Sequence, residues 1–145
     1  MATKGPLDED GTVDDVTVLV VDDQAPFRFA ARATLARTPG FTMVGEAVDG
    51  SDALGVAEAT HAELVLMDVN MPIMDGIAAT RALLAARPAT VVFLCSTYPL
   101  DELPTAAQTS GARGYLNKED LSPQLLTHLW AAVWAAGPTA GILTG

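Results

Sequence analysis

A single cysteine, Cys95, leaves no internal disulfide and no thiolate-rich metal centre within this chain. Positive charge is scarce too: 8 Lys and Arg stand against 18 Asp and Glu, a formal net charge of −10. Gripping a phosphate backbone takes clustered cations, so direct contact with nucleic acid is not expected of this chain. No apolar run approaches the roughly 18 residues of a membrane span. The opening MATKGPLDEDGTVDD also lacks the basic start and apolar centre of a signal peptide. The expected address is cytoplasmic, with no membrane contact. His61 and His128 stand at no spacing suited to metal binding or catalysis and read as surface residues.

What the sequence does have is material for one core. At 145 residues, 50% hydrophobic and 18% charged, it is the size of a single domain. Residues 1–15 hold almost nothing apolar and are expected to form a mobile tail, with the packed domain over 16–136 and a C-terminal tail or linker start over 137–145. Between them, β-branched runs alternate with Ala- and Leu-rich segments, the pattern of repeated βα units on a parallel sheet. Strands are expected over 16–22, 41–49, 62–68, 90–96 and 113–118. Helices are expected over 26–38, 51–60 with Gly50 or Ser51 at its cap, 75–87 capped by Asp75, 103–110, and 122–136 with Ser122 capping and Pro123 in first position. Pro99 and Pro104 make the fourth of these the weakest pattern.

The stretch LVLMDVNMPIMDG, residues 64 to 76, runs a strand that is apolar on both faces straight into Asp68. Such a strand belongs in the middle of a covered parallel sheet, and its carboxyl end opens on the ligand crevice of that architecture. The residues that close the other strands gather at the same edge: Asp22 and Asp23, Ser96, and Lys118. Carboxylates converging there repel and raise one another's pKa unless a cation sits among them. A hard, oxygen-seeking divalent ion such as Mg²⁺ suits the set, because it needs few carboxylates and keeps places for water and phosphate oxygens. Ser96 adds a hydroxyl donor and Lys118 a mobile point charge. Together they make a cradle for a phosphoryl group, with a carboxylate as its acceptor.

The acidic pair in LVVDD, the aspartate in LMDVNMPIMDG, the hydroxyl in LCS and the lysine in GYLNK occur in an order that resembles the response-regulator receiver domains of two-component signalling, over about residues 16–136. The resemblance implies a flavodoxin-like, doubly wound α/β fold with a five-stranded parallel sheet in the order 2-1-3-4-5 and five helices. It implies that Asp68 accepts a phosphoryl group from a sensor histidine kinase, without the chain being an enzyme toward other substrates. Asp23 would ligate the metal directly, Asp22 mainly through water, and Asn70 through its backbone carbonyl. Ser96 and Lys118 would hold phosphoryl oxygens, and Tyr115 would be the aromatic that swings inward with the hydroxyl. Glu119 follows Lys118 where the commoner pattern has proline, as in receivers attached to LuxR-type helix-turn-helix output domains. Tyr98, two places after Ser96, is bulky where it would shade the phosphoryl group from water.

Competing readings are weaker. A haloacid-dehalogenase-type phosphatase carries its nucleophile and acid two apart on the first strand, whereas strand one here ends in an adjacent pair. An interaction module indifferent to phosphate would not need every member of the site. Cys95, inside VVFLC, reads as a buried structural thiol. On the last helix, Leu125, Leu126, Leu129, Trp130, Val133 and Trp134 form an apolar stripe. Its two indoles fit either a half-buried core or a homodimer surface.

Overall fold

The computed structural model describes residues 14–138 and 140–144. The tail expected over 1–15 therefore lies, up to residue 13, outside the described residues. Among these residues six parallel strands form one sheet in the order β2-β1-β3-β4-β5-β6: β1 Val16–Val21, β2 Phe41–Ala47, β3 Leu64–Asp68, β4 Val91–Ser96, β5 Gly114–Asn117 and β6 Leu143–Thr144. β3 and β4 are buried at every position, as continuous apolar strands covered on both faces must be. β2 lies at one edge and shows the mixed exposure that its alternating sequence predicts.

Among the described residues, four α-helices cover the sheet: α1 Ala25–Ala36, α2 Gly50–Thr60, α3 Gly76–Ala86 and α4 Pro123–Ala136. Ala31 and Leu35 of α1 join Leu126, Leu129, Trp130 and Val133 of α4 against one face. Ala53 and Ala57 of α2 with Ile77, Ala79 and Leu83 of α3 close the other. Burying side chains such as Leu19, Leu66, Leu94 and Phe93 completely, as here, contributes about 1.5–3 kcal/mol each. Trp130, buried, stacks edge-on with Phe41 at 6.2 Å and with the partly buried Trp134 at 5.6 Å.

Caps set where the helices start. Asp75 accepts from the Ala78 amide and Ser122 from the Leu125 amide, both as the sequence predicts. For α2 the cap is Asp49, which accepts from Asp52, rather than Gly50 or Ser51.

Two features correct the five-strand, five-helix expectation. The helix expected over 103–110 is absent, and the chain instead makes two 3₁₀ segments, Leu100–Glu102 and Thr105–Thr109. Pro99 and Pro104 stand directly before them in extended conformation. A proline donates no backbone hydrogen bond and biases its predecessor away from helix, so the continuous i→i−4 ladder is broken twice within a few residues. The sixth strand lies in the segment expected to be tail or linker. Arg113 Nη2 donates to the Val133 and Gly137 carbonyls at 2.9 and 2.8 Å, and Gly137 adopts φ 85 as the chain turns. Leu143 N–H then bonds Arg113 O at 3.1 Å and its strand pairs with β5.

Candidate functional site

Strand register brings the chemistry-bearing residues to one edge. β1 lies between β2 and β3, so the Asp22–Asp23 pair that follows it emerges beside Asp68, the last residue of β3. Asp68 is paired with Cys95, and the next residue, Ser96, is paired with Asn117, which Lys118 follows. Asp22, Asp68 and Ser96 are buried, with 0%, 5% and 2% of their surface exposed. Asp23 sits at the solvent-facing rim.

Lys118 binds the cluster together. Its Nζ lies 2.5 Å from Asp22 Oδ2 and 3.0 Å from Asp68 Oδ1. Burial would draw its pKa down, but hydrogen bonds to the two carboxylates outweigh that and lift it above the ordinary lysine value. Asp68 is pushed up to about 6, first by desolvation and then by the Asp22 charge, against the opposing pull of Lys118 and of the Asn70 backbone amide, which donates to it. Asp22 Oδ1 accepts from the Gln24 amide at 2.8 Å. Oδ2 is buried against the Lys118 ammonium.

The convergence of carboxylates bears on metal binding. Asp22, Asp23 and Asp68 each bring a carboxylate oxygen within 4.8 Å of the others. An all-oxygen, anionic set of this kind fits a hard divalent cation, which would offset the repulsion that raises Asp68.

Ser96 and Tyr115 are linked through the loop after β4. The Tyr98 amide donates to Ser96 Oγ at 3.0 Å, and the Tyr115 phenol donates to the Ser96 carbonyl at 3.3 Å and to the Tyr98 carbonyl. Tyr115 is thus already inside, 6% exposed. The ring of Tyr98, 55% exposed, stands in solvent while its backbone makes these contacts. Cys95 is wholly buried and its pKa pushed far up by desolvation, as an inert structural thiol requires. His61 and His128 are exposed.

Some of the residues that build the site carry no motif. Arg28 Nη1 donates to the Asp22 carbonyl at 2.8 Å while its Nε pairs with Glu46 at 2.8 Å, fixing the turn after β1. Glu46 in turn is held below the usual carboxylate range by Arg28 and Arg32. Gly76 packs directly on the Asp68 backbone. In the loop between them, Ile73 adopts φ 70, a left-handed conformation that costs an L-residue about 1–2 kcal/mol.

With this geometry in view, residues 18–129 match the response regulator receiver domain family. The chain belongs to that family. This receiver is 34% identical over 119 residues to the transcriptional regulatory protein YxjL of Bacillus subtilis, covering 82% of this chain and 55% of that protein. It is 39% identical over 103 residues to the response regulator GacA of Pseudomonas aeruginosa, covering 71% and 48%. Among solved structures, a LuxR-family two-component response regulator from Aurantimonas superposes with a TM-score of 0.76 at 26% identity, over 90% of this chain and 91% of that one. The NarL receiver domain of Mycobacterium tuberculosis gives 0.71 at 32% identity, over 85% and 96%. The receiver spans about half the length of the curated relatives it matches. None of its described helices is long and apolar enough to cross a membrane.

The raised Asp68 pKa has a consequence for stability. The folded protein holds this proton more tightly than the unfolded chain, so the contribution is fully present below the ordinary carboxylate value of 3.8 and lost as pH rises through about 6. In the metal-free receiver, Asp68→Asn should melt like wild type near pH 3 and be the more stable by about 3 kcal/mol at pH 7. Paired thermal melts in chelator across that range check the sign, and added Mg²⁺ should shrink the difference at pH 7.

Proposed function

We propose that this receiver is a phosphoacceptor switch in which Asp68 takes a phosphoryl group from a phosphohistidine on a sensor histidine kinase in the cytoplasm. The observation that carries the reading is the Lys118 ammonium set between Asp22 and Asp68 at the strand ends, with the Ser96 hydroxyl on the adjoining strand. An Asp68 oxygen attacks phosphorus and the P–N bond breaks. The bonding pair stays on the imidazole nitrogen, which takes a proton, and the product is an acyl phosphate. Lys118 then exchanges its Asp68 partner for a phosphoryl oxygen. Ser96 Oγ, now an acceptor from the Tyr98 amide, keeps its own proton to donate to another.

Asp22, Asp23, Asp68 and the Asn70 carbonyl would hold Mg²⁺, which when bound would supply charge neutralisation for the phosphoryl transfer. Any movement of Ser96 toward the phosphoryl group is passed to Tyr115, whose phenol grips the backbone of residues 96 and 98. This makes the tyrosine and the two 3₁₀ segments the element that a new dianion biases. The relatives include a named transcriptional regulator and a LuxR-family structure, which supports transcription control through an output domain or partner as the use of the switch.

The test is the intact mass of wild type after incubation with acetyl phosphate. One phosphoryl group per chain is expected with Mg²⁺ and none in chelator, and failure to label with Mg²⁺ present would remove the reading.

A further inference from the structure

We propose that Phe27 is a positioning residue for Lys118: the face of its ring holds the ammonium inside the phosphoryl pocket while leaving the N–H donors free for oxygens. The inference rests on the phosphoacceptor reading and deepens it. Lysine is a strongly hydrated point charge on a flexible stem, and its default is to drift toward water. Here Nζ sits 4.8 Å from the centroid of the Phe27 ring, and the side chain is only 15% exposed. At that distance the ring quadrupole attracts the cation. The ring has no lone pairs that bind N–H groups strongly, so it does not compete with Asp22, Asp68 or a phosphoryl oxygen. A further carboxylate at this place would hold lysine more tightly but add charge to an acidic pocket and resist the change of partner that phosphorylation requires.

The ring is placed by the same turn that builds the metal-binding edge. Asp22 Oδ1 accepts from the Gln24 amide at 2.8 Å, and the Gln24 carbonyl accepts from the Phe27 amide at 3.1 Å. Phe27 thus stands in the first turn of α1 at a position tied to Asp22 itself. Its half-buried ring also packs on the core between α1 and α4, which restrains its rotation.

Lysine occurs only at positions 4 and 118, so labelling lysine Cε with carbon-13 gives two assignable signals. The Lys118 Cε protons should resonate upfield under the ring current and lose that shift in Phe27→Leu, while Phe27→Tyr keeps it. With acetyl phosphate and Mg²⁺, Phe27→Leu should label about tenfold more slowly than wild type, and Phe27→Tyr within about twofold of it. If Phe27→Leu fails to fold, Phe27→Met takes its place. No ring-current shift in wild type, labelling of the aliphatic variant at the wild-type rate, or equal slowing of the tyrosine and aliphatic variants would each overturn the role of the ring. Wild type that shows the shift yet takes up no phosphoryl group would instead sink the phosphoacceptor reading, and this role with it.

Discussion

Asp68→Asn is expected to take up no phosphoryl group from acetyl phosphate under conditions in which wild type takes up one. The amide keeps the size and shape of the carboxylate but has no anionic oxygen to attack phosphorus. The fold should survive the change, because Lys118 retains Asp22 at 2.5 Å as its counter-charge and the Asp68–Asp22 repulsion disappears. Loss of labelling would therefore report chemistry and not unfolding. Asp22 is not expected to substitute: it is wholly buried, one oxygen is engaged by the Gln24 amide and the other faces Lys118. Asp23 is open to solvent, but the structure places the lysine ammonium on Asp22 and Asp68 instead. Intact mass, with a near-ultraviolet spectrum to confirm folding around the two tryptophans, checks the outcome. Labelling of the variant to the wild-type level would move the acceptor elsewhere.

How much of this was legible in the chain follows from which interactions are local. β1, β3 and β4 are short apolar runs that end in polar residues, so both their existence and the residues at their carboxyl ends can be read directly, and Asp22, Asp68 and Ser96 fall where those runs stop. Helix caps are equally local, which is why Asp75 and Ser122 were readable. The 103–110 segment has helix-forming residues, and the decisive effect there is the backbone restriction imposed by Pro99 and Pro104, which leaves only 3₁₀ turns. β6 is two residues long and exists because Arg113 turns the chain back after α4, a contact spanning 20 and 24 residues that no pattern in GPTAGILTG announces. Phe27 and Arg28 are invisible for the same reason: a first-turn aromatic and a surface-type arginine acquire roles only when β5 and β2 arrive beside them. Asp75 was legible as a cap, but not the closeness of the contact that requires Gly76 after it.

That contact sets the second large effect, the replacement of Gly76 by alanine. A Cβ built there would lie 2.0 Å from the Asp68 carbonyl oxygen, 2.8 Å from its carbon and 2.9 Å from Val69 Cα. All three are backbone atoms, so no side chain can swing aside, and the Gly76 amide is also bonded to the Val69 carbonyl at 2.9 Å. Either α3 must move off the sheet or the end of β3 must give way, and both routes disturb a buried, close-packed junction. A cost of about 2–4 kcal/mol follows, equivalent to roughly 10 °C in melting temperature for a domain of this size. Since the atoms displaced belong to Asp68, Mg²⁺ binding and labelling should weaken even well below the transition. Gly55→Ala is the contrasting case: it lies inside α2 with nothing within 4 Å of its Cβ, and it should raise stability by about 0.5–1 kcal/mol. Melting curves of the two variants beside wild type measure both signs. A Gly76→Ala protein that melts and binds Mg²⁺ as wild type does would mean that α3 does not need this approach to hold Asp68 in place.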